Sequence, residues 1–211
     1  MKKVLALLMA LVLALSLVAC GGENKKEALD ALNSAYDYCN VGMNYMIKAW
    51  DFSISESSSN TREEYEALWG KFQSKMGMTE DDVVEGLIEE CGMTLQSLSK
   101  GNDVNRGLNT TIDGMFLMKA EYSVPVARYG WNKKNDNAKQ HIEEKLNFVK
   151  DYLQNAQGSK SYDLLKDYYL MVNEMYNWIQ SPSGTYADAS NAVIEYSEKA
   201  EKFQSEAELI K

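Results

Sequence analysis

The chain has one histidine, two prolines and three cysteines among 211 residues. Each scarcity excludes something. A di-iron carboxylate bundle needs two Glu-x-x-His motifs on facing helices, and a zincin needs His-Glu-x-x-His. Neither can be assembled from His141 alone. A Ser-His-Asp triad would need the same histidine, and no Gly-x-Ser-x-Gly elbow accompanies it. His141, in His-Ile-Glu-Glu, reads as a surface or boundary residue. Positive charge is short too: 22 Lys and Arg stand against 31 Asp and Glu. Such a surface lacks the basic footprint that nucleic acid requires. No glycine-rich phosphate loop is present. Asp103-Val104-Asn105-Arg106-Gly107 opens like a calcium loop, but its glycine stands fifth rather than sixth. The twelfth position is Gly114, not glutamate. The pairs Glu63-Glu64, Glu89-Glu90 and Glu143-Glu144 diverge around a helix, so they read as solvated faces rather than a glycosidase pair. The expectation is no enzyme, no metal site and no cofactor.

Proline scarcity suits long helices, and the apolar spacing confirms that direction. Leu29, Leu32, Tyr36, Cys39, Met43, Met46 and Trp50 alternate steps of three and four. That rhythm places them on one stripe of a helix over 24–54, about 45 Å long. Further stripes run through Tyr65–Met76, Val84–Leu98, Val104–Tyr129, Ala138–Leu153, Tyr162–Ile179 and Tyr186–Ile210. Thr79 with Asp82 three residues on resembles a capping box, with Asp in place of Glu. Pro125 should kink or end its helix. Breaks fall at 55–60, 77–79, 99–102, 130–135, 157–160 and 181–184, with Gly130 and Gly184 as stop or turn residues. Short connections make successive helices antiparallel neighbours. The predicted fold is all-α: an up-and-down antiparallel bundle of about six or seven helices, forming one domain over 27–211.

The N-terminus has a different character. Lys2 and Lys3 precede an apolar run from Val4 to Val18, which ends in Leu17-Val18-Ala19-Cys20. Fifteen residues are short of the roughly 20 that span a bilayer. The order of basic start, apolar run and small residues fits a secretory signal. It resembles the signal peptide of bacterial lipoproteins, ending in a lipobox. The resemblance implies cleavage after Ala19 (residues 1–19) and attachment of a diacylglyceryl group to Cys20, followed by a lipidated tether over 20–26. Two acyl chains are what stable anchoring takes. The mature chain would lose Lys2 and Lys3, leaving 20 basic against 31 acidic residues, a net charge of −11. It would be repelled by anionic headgroups, so lipid rather than surface charge would hold it. The expected location is extracytoplasmic, on the membrane.

Four other features carry alternatives. Cys39 and Cys91 fall on apolar helical faces, where buried thiols or one disulfide are both open. Gly130-Trp131-Asn132-Lys133-Lys134-Asn135 puts an aromatic and two lysines in a polar turn of an acidic protein. Trp131, Lys133 and Lys134 are therefore candidate partner contacts; the alternative has Trp131 folding back as a lid on the bundle end. The cluster Tyr162, Tyr168, Tyr169, Tyr176 and Trp178 reads as core packing or as a stacking surface. Gly42, Gly86, Gly92, Gly107 and Gly114 suit close helix approach, and Met43, Met46, Met115 and Met118 would line any apolar cavity. The resulting expectation is a non-enzymatic cell-envelope lipoprotein acting through protein or cell-wall contacts. The alternative is a helical module holding a small apolar or sugar ligand between its helices.

Overall fold

A computed structural model describes the backbone of residues 2–55, 70–92 and 120–209, and the side chains of 25–55, 70–92 and 123–209. All regular structure among these residues is helical. The helices are α1 (Lys2–Ser55), α2 (70–76), α3 (Glu80–Cys91), α4 (Ala120–Lys134), α5 (Ala138–Asn155), α6 (Tyr162–Gln180) and α7 (Tyr186–Leu209). The calcium-loop-like stretch, Glu63-Glu64, Met115 and Met118 lie outside the described residues.

Polar pairings fix the topology. The Tyr168 hydroxyl donates to Asn33 Oδ1 at 3.0 Å, and the Cys39 thiol lies 3.9 Å from the Val172 carbonyl. Both partners advance together, so α6 runs parallel to α1. Lys25 reaches the Ala207 carbonyl and Gln204 reaches Asn33 Oδ1, so α7 runs antiparallel to α1. His141 of α5 stacks on Tyr38, centroids 5.4 Å apart. Helices α1 and α6 form the central diagonal, flanked by α5 and α7. This is the expected up-and-down bundle. Above it, α2 and α4 pack on the C-terminal part of α1 and α3 packs on α4, together forming a cap.

The core follows the stripes. Leu32, Cys39, Met43 and Met46 of α1 meet Ile142 and Val149 of α5 and Leu165, Val172, Met175 and Ile179 of α6, all essentially without exposure. Tyr168 is fully buried and stacks on Phe203 at 5.1 Å, and Tyr176 is buried further along α6. This part of the aromatic cluster is core. Cys39 is buried and Cys91 half-buried at the end of α3, with no disulfide joining them. Burial pushes the Cys39 thiol well above its ordinary range.

Several local expectations shift. The first helix starts at Lys2 and continues unbroken past Cys20. The tether residues 20–26 are helical; the six after Cys20 rise about 9 Å, against about 20 Å if extended. The Leu/Ala-rich run preceding them has high helix propensity, and no proline interrupts it. Gly92 adopts φ 67° and its N–H bonds the Leu87 carbonyl, ending α3 at Cys91, short of the predicted Leu98. Pro125 does not end its helix: α4 runs nine residues further, to Lys134. Burial of Val124, Val126, Ala127 and Trp131 outweighs the one missing N–H bond. Gly130 is not a stop. It lies inside α4, where a Cβ would come within 2.8 Å of Met78 Cε. The turn falls instead at 135–137, where Asp136 and Asn137 take φ of 49° and 60°. Both residue types tolerate that left-handed region.

Candidate functional site

The Trp-Lys-Lys segment was the leading partner-contact candidate, and the fold turns it inward. Carrying α4 on to Lys134 moves Trp131 from a turn to a helix face. There it is 1 % exposed. A Cβ built on Gly42 would stand 2.8 Å from Trp131 Cε2 and 3.0 Å from Ile179 Cδ1. The indole thus fills the gap between α1 and α6, at a point where α1 has no side chain. Trp131 is not a surface contact. Its Nε1–H is buried and has no acceptor among the described residues.

The two lysines are engaged within the molecule. The Lys133 ammonium donates to Glu85 Oε2 at 2.6 Å and lies 2.9 Å from Asp82 Oδ1. Its own pKa is raised by those hydrogen bonds, Glu85 first. The Tyr129 hydroxyl donates to the same Glu85 oxygen at 2.6 Å. Lys134 donates to the Met76 carbonyl at 3.1 Å and to that of Gly77, closing the C-terminal end of α2. Both side chains keep exposed surface, but their charges are spent joining α4 to α2 and α3.

The same region holds a second fastening that the sequence did not announce. Arg128 Nε donates to Glu90 Oε2 at 3.0 Å, Nη2 reaches the same oxygen, and Nη1 reaches the Ile179 and Gln180 carbonyls. One guanidinium therefore ties α4 to α3 and to the last turn of α6. Five fixed donors make this possible for arginine and not for lysine. The capping box on Thr79 is present: the Thr79 N–H donates to Asp82 Oδ2 at 2.8 Å, and the Asp82 N–H donates to Thr79 Oγ1 at 3.1 Å. Asp82 is held at about 2, first by that backbone N–H and then by Lys133.

The adjacent acids serve separate ends, as their spacing requires. Glu90 meets Arg128, Glu143 accepts from the Tyr176 hydroxyl at 2.5 Å, and Glu144 accepts from Gln140 at 2.8 Å. Among the described residues, no three His, Cys, Asp or Glu side chains are grouped to hold a metal ion.

Among the described residues, a surface concavity lies elsewhere, between α1 and α5. It encloses about 410 Å³ and is lined by Glu27, Asp30 and Ala31 of α1 and by Glu144, Lys145 and Phe148 of α5. Phe148 is 42 % exposed at its edge. The sequence held a signal for it: Phe148 is a large aromatic off the stripe Ala138, Ile142, Leu146, Val149 and Leu153, so it cannot join the core with them. Cys20 lies on the same helix, seven residues before Glu27, where only backbone is described. Among the described residues no helix is long and apolar enough to cross a membrane. No known family model matches this chain, and no curated protein or solved structure is significantly similar to it.

Proposed function

We propose that this chain is a bacterial cell-envelope lipoprotein, anchored through a diacylglyceryl group on Cys20 and acting through protein or cell-wall contacts rather than by catalysis. The observation that carries the proposal is the order Lys2-Lys3, apolar Val4–Val18, then Leu17-Val18-Ala19-Cys20. Two acyl chains give stable attachment where one does not. The mature net charge of −11 opposes adhesion to anionic headgroups, so removing the lipid should free the protein. A helical segment after Cys20 rises only about 9 Å before Glu27, which would set the domain beside the bilayer.

The test is metabolic labelling with palmitate, read together with membrane fractionation. The native chain should carry label and sediment with membranes. Cys20→Ala should lose the label and either stay unprocessed or appear in the soluble fraction. Label and membrane association that survive in Cys20→Ala, with unchanged electrophoretic mobility, overturn the proposal.

A further inference from the structure

We infer that the groove between α1 and α5 is a docking site for a partner protein's basic helix, receiving one apolar side chain flanked by Lys or Arg. Its shape follows from residue size. Ala31, whose side chain is a single methyl, makes the α1 wall shallow at this level. Phe148 stands across from it, still 42 % exposed. The result is an apolar slot about one helical turn long, from Glu27 to Ala31 on one wall and Glu144 to Phe148 on the other. A slot that short admits one or two side chains, which is the way a helix enters a groove through spaced anchors.

Charge selects the occupant. Three carboxylates and one ammonium line the slot. Glu144 accepts only from the uncharged Gln140, and neither Glu27 nor Asp30 pairs with a cation among the described residues. In the cap, by contrast, Asp51, Asp82, Glu85 and Glu90 all face their own Lys or Arg. The acids of the slot keep their charge for something outside the molecule. A helix with Lys or Arg three or four residues either side of a Leu or Phe matches both the acids and the apolar floor. The likeness of the occupant to a membrane-surface helix fits a site near the bilayer; only that placement rests on the lipoprotein reading.

The probe is a short Lys/Ala helix bearing one central Leu, titrated against the full chain in non-ionic detergent and followed by fluorescence anisotropy. Asp30→Lys with Glu144→Lys should weaken binding by about a hundredfold, and Phe148→Ala by about tenfold. The same peptide with Leu→Ala should bind about tenfold more weakly than the parent and ignore Phe148→Ala. These side chains are at the surface, so unchanged circular dichroism and melting will show that each variant is folded. Affinity within twofold after the double reversal overturns the inference. So does equal binding of the Leu→Ala peptide, or full displacement by spermidine, since either reduces the attraction to bulk charge. Cys20→Ala should bind the probe as the native chain does. Failure of the groove therefore leaves the anchor untouched, and failure of the anchor leaves the groove.

Discussion

The cap and the bundle solve the same problem with different means. Between described residues, every ion pair that joins two helices lies in or against the cap: Lys75 with Asp51, Arg128 with Glu90, and Lys133 with Asp82 and Glu85. In the four-helix bundle, the described pairs are Lys199 with Glu195 and Lys202 with Glu206, both within α7 and at 3.9 and 3.7 Å. Exposed pairs of that kind contribute little. The bundle is held by packing: α5 and α6, 18 and 19 residues long, bury five and seven residues respectively, and α7, 24 residues long, adds Ala189, Tyr196, Ala200 and Ala207. Helix α3, at 12 residues, buries only Val83, Gly86 and Leu87. It is too short for packing alone, and its charges act as fasteners. The lesson concerns function as well as stability. Acids that fasten the cap are paired with Lys or Arg, whereas Glu27 and Asp30 on the bundle surface pair with no cation among the described residues.

Trp131 gives the largest effect, because it sits where cap meets bundle. Trp131→Ala should lower unfolding stability by about 3–5 kcal/mol, from lost burial and the cavity left between Gly42 and Ile179. Urea unfolding followed by circular dichroism measures it. If the indole couples the two regions, the native chain unfolds in one transition and the variant in two. A loss below about 1 kcal/mol would mean that the cap does not depend on this contact. Trp131→Phe should be much milder. It keeps most of the apolar ring and removes a buried N–H that has no acceptor among the described residues, a group whose burial costs about 1–3 kcal/mol.

Arg128 comes next. Arg128→Ala strands the half-buried Glu90 carboxylate and withdraws a donor from the Ile179 and Gln180 carbonyls. The expected loss is about 2–3 kcal/mol in the same denaturation experiment. Arg128→Lys should recover little of it, since one ammonium cannot serve the carboxylate and the carbonyls together. Lys199→Ala, in the bundle, is the matched control and should stay within about 0.5 kcal/mol of the native chain. Equal effects at the two positions would erase the contrast between cap and bundle.

How much of this was legible depended on range. The stripes of α5, α6 and α7 were visible because each repeats over four or more turns, and the Thr79–Asp82 box because it is complete within four residues. The equivalent box at Thr185 and Asp188, with N–H bonds of 3.1 and 3.2 Å, was open to the same reading. Trp131 was misplaced for a physical reason. Gly130 and the polar Asn132-Lys133-Lys134 look like a turn locally, but Gly130 makes room for Met78, and the lysines are drawn to carbonyls and carboxylates far along the chain. The reach of Arg128 is equally non-local, with partners 38 to 52 residues away. The groove was half legible: Phe148 is visibly off its stripe, while Ala31 opposite it acquires meaning only once α5 runs antiparallel to α1.

Asp82 offers the smallest and most selective effect, since it isolates one fastener of the cap. Its carboxylate is held near 2 by the Thr79 N–H and by Lys133, below the ordinary 3.8. A depressed folded pKa means that the folded state binds its proton less readily than the unfolded chain does. The stabilisation is therefore complete above about pH 4 and disappears as pH falls through about 2. Asp82→Asn retains an oxygen to accept from Thr79 but loses the charge that meets both Lys133 and the N-terminus of α3. At pH 7 the variant should be less stable by about 0.5–1 kcal/mol. The gap should hold flat from pH 7 to about 4, then close toward pH 2 as the native carboxyl protonates. High salt should narrow it at neutral pH, because this pair is near the surface. A gap that persists unchanged at pH 2 would assign the effect of Asp82 to shape rather than charge. The cap would then be fastened by packing, as the bundle is.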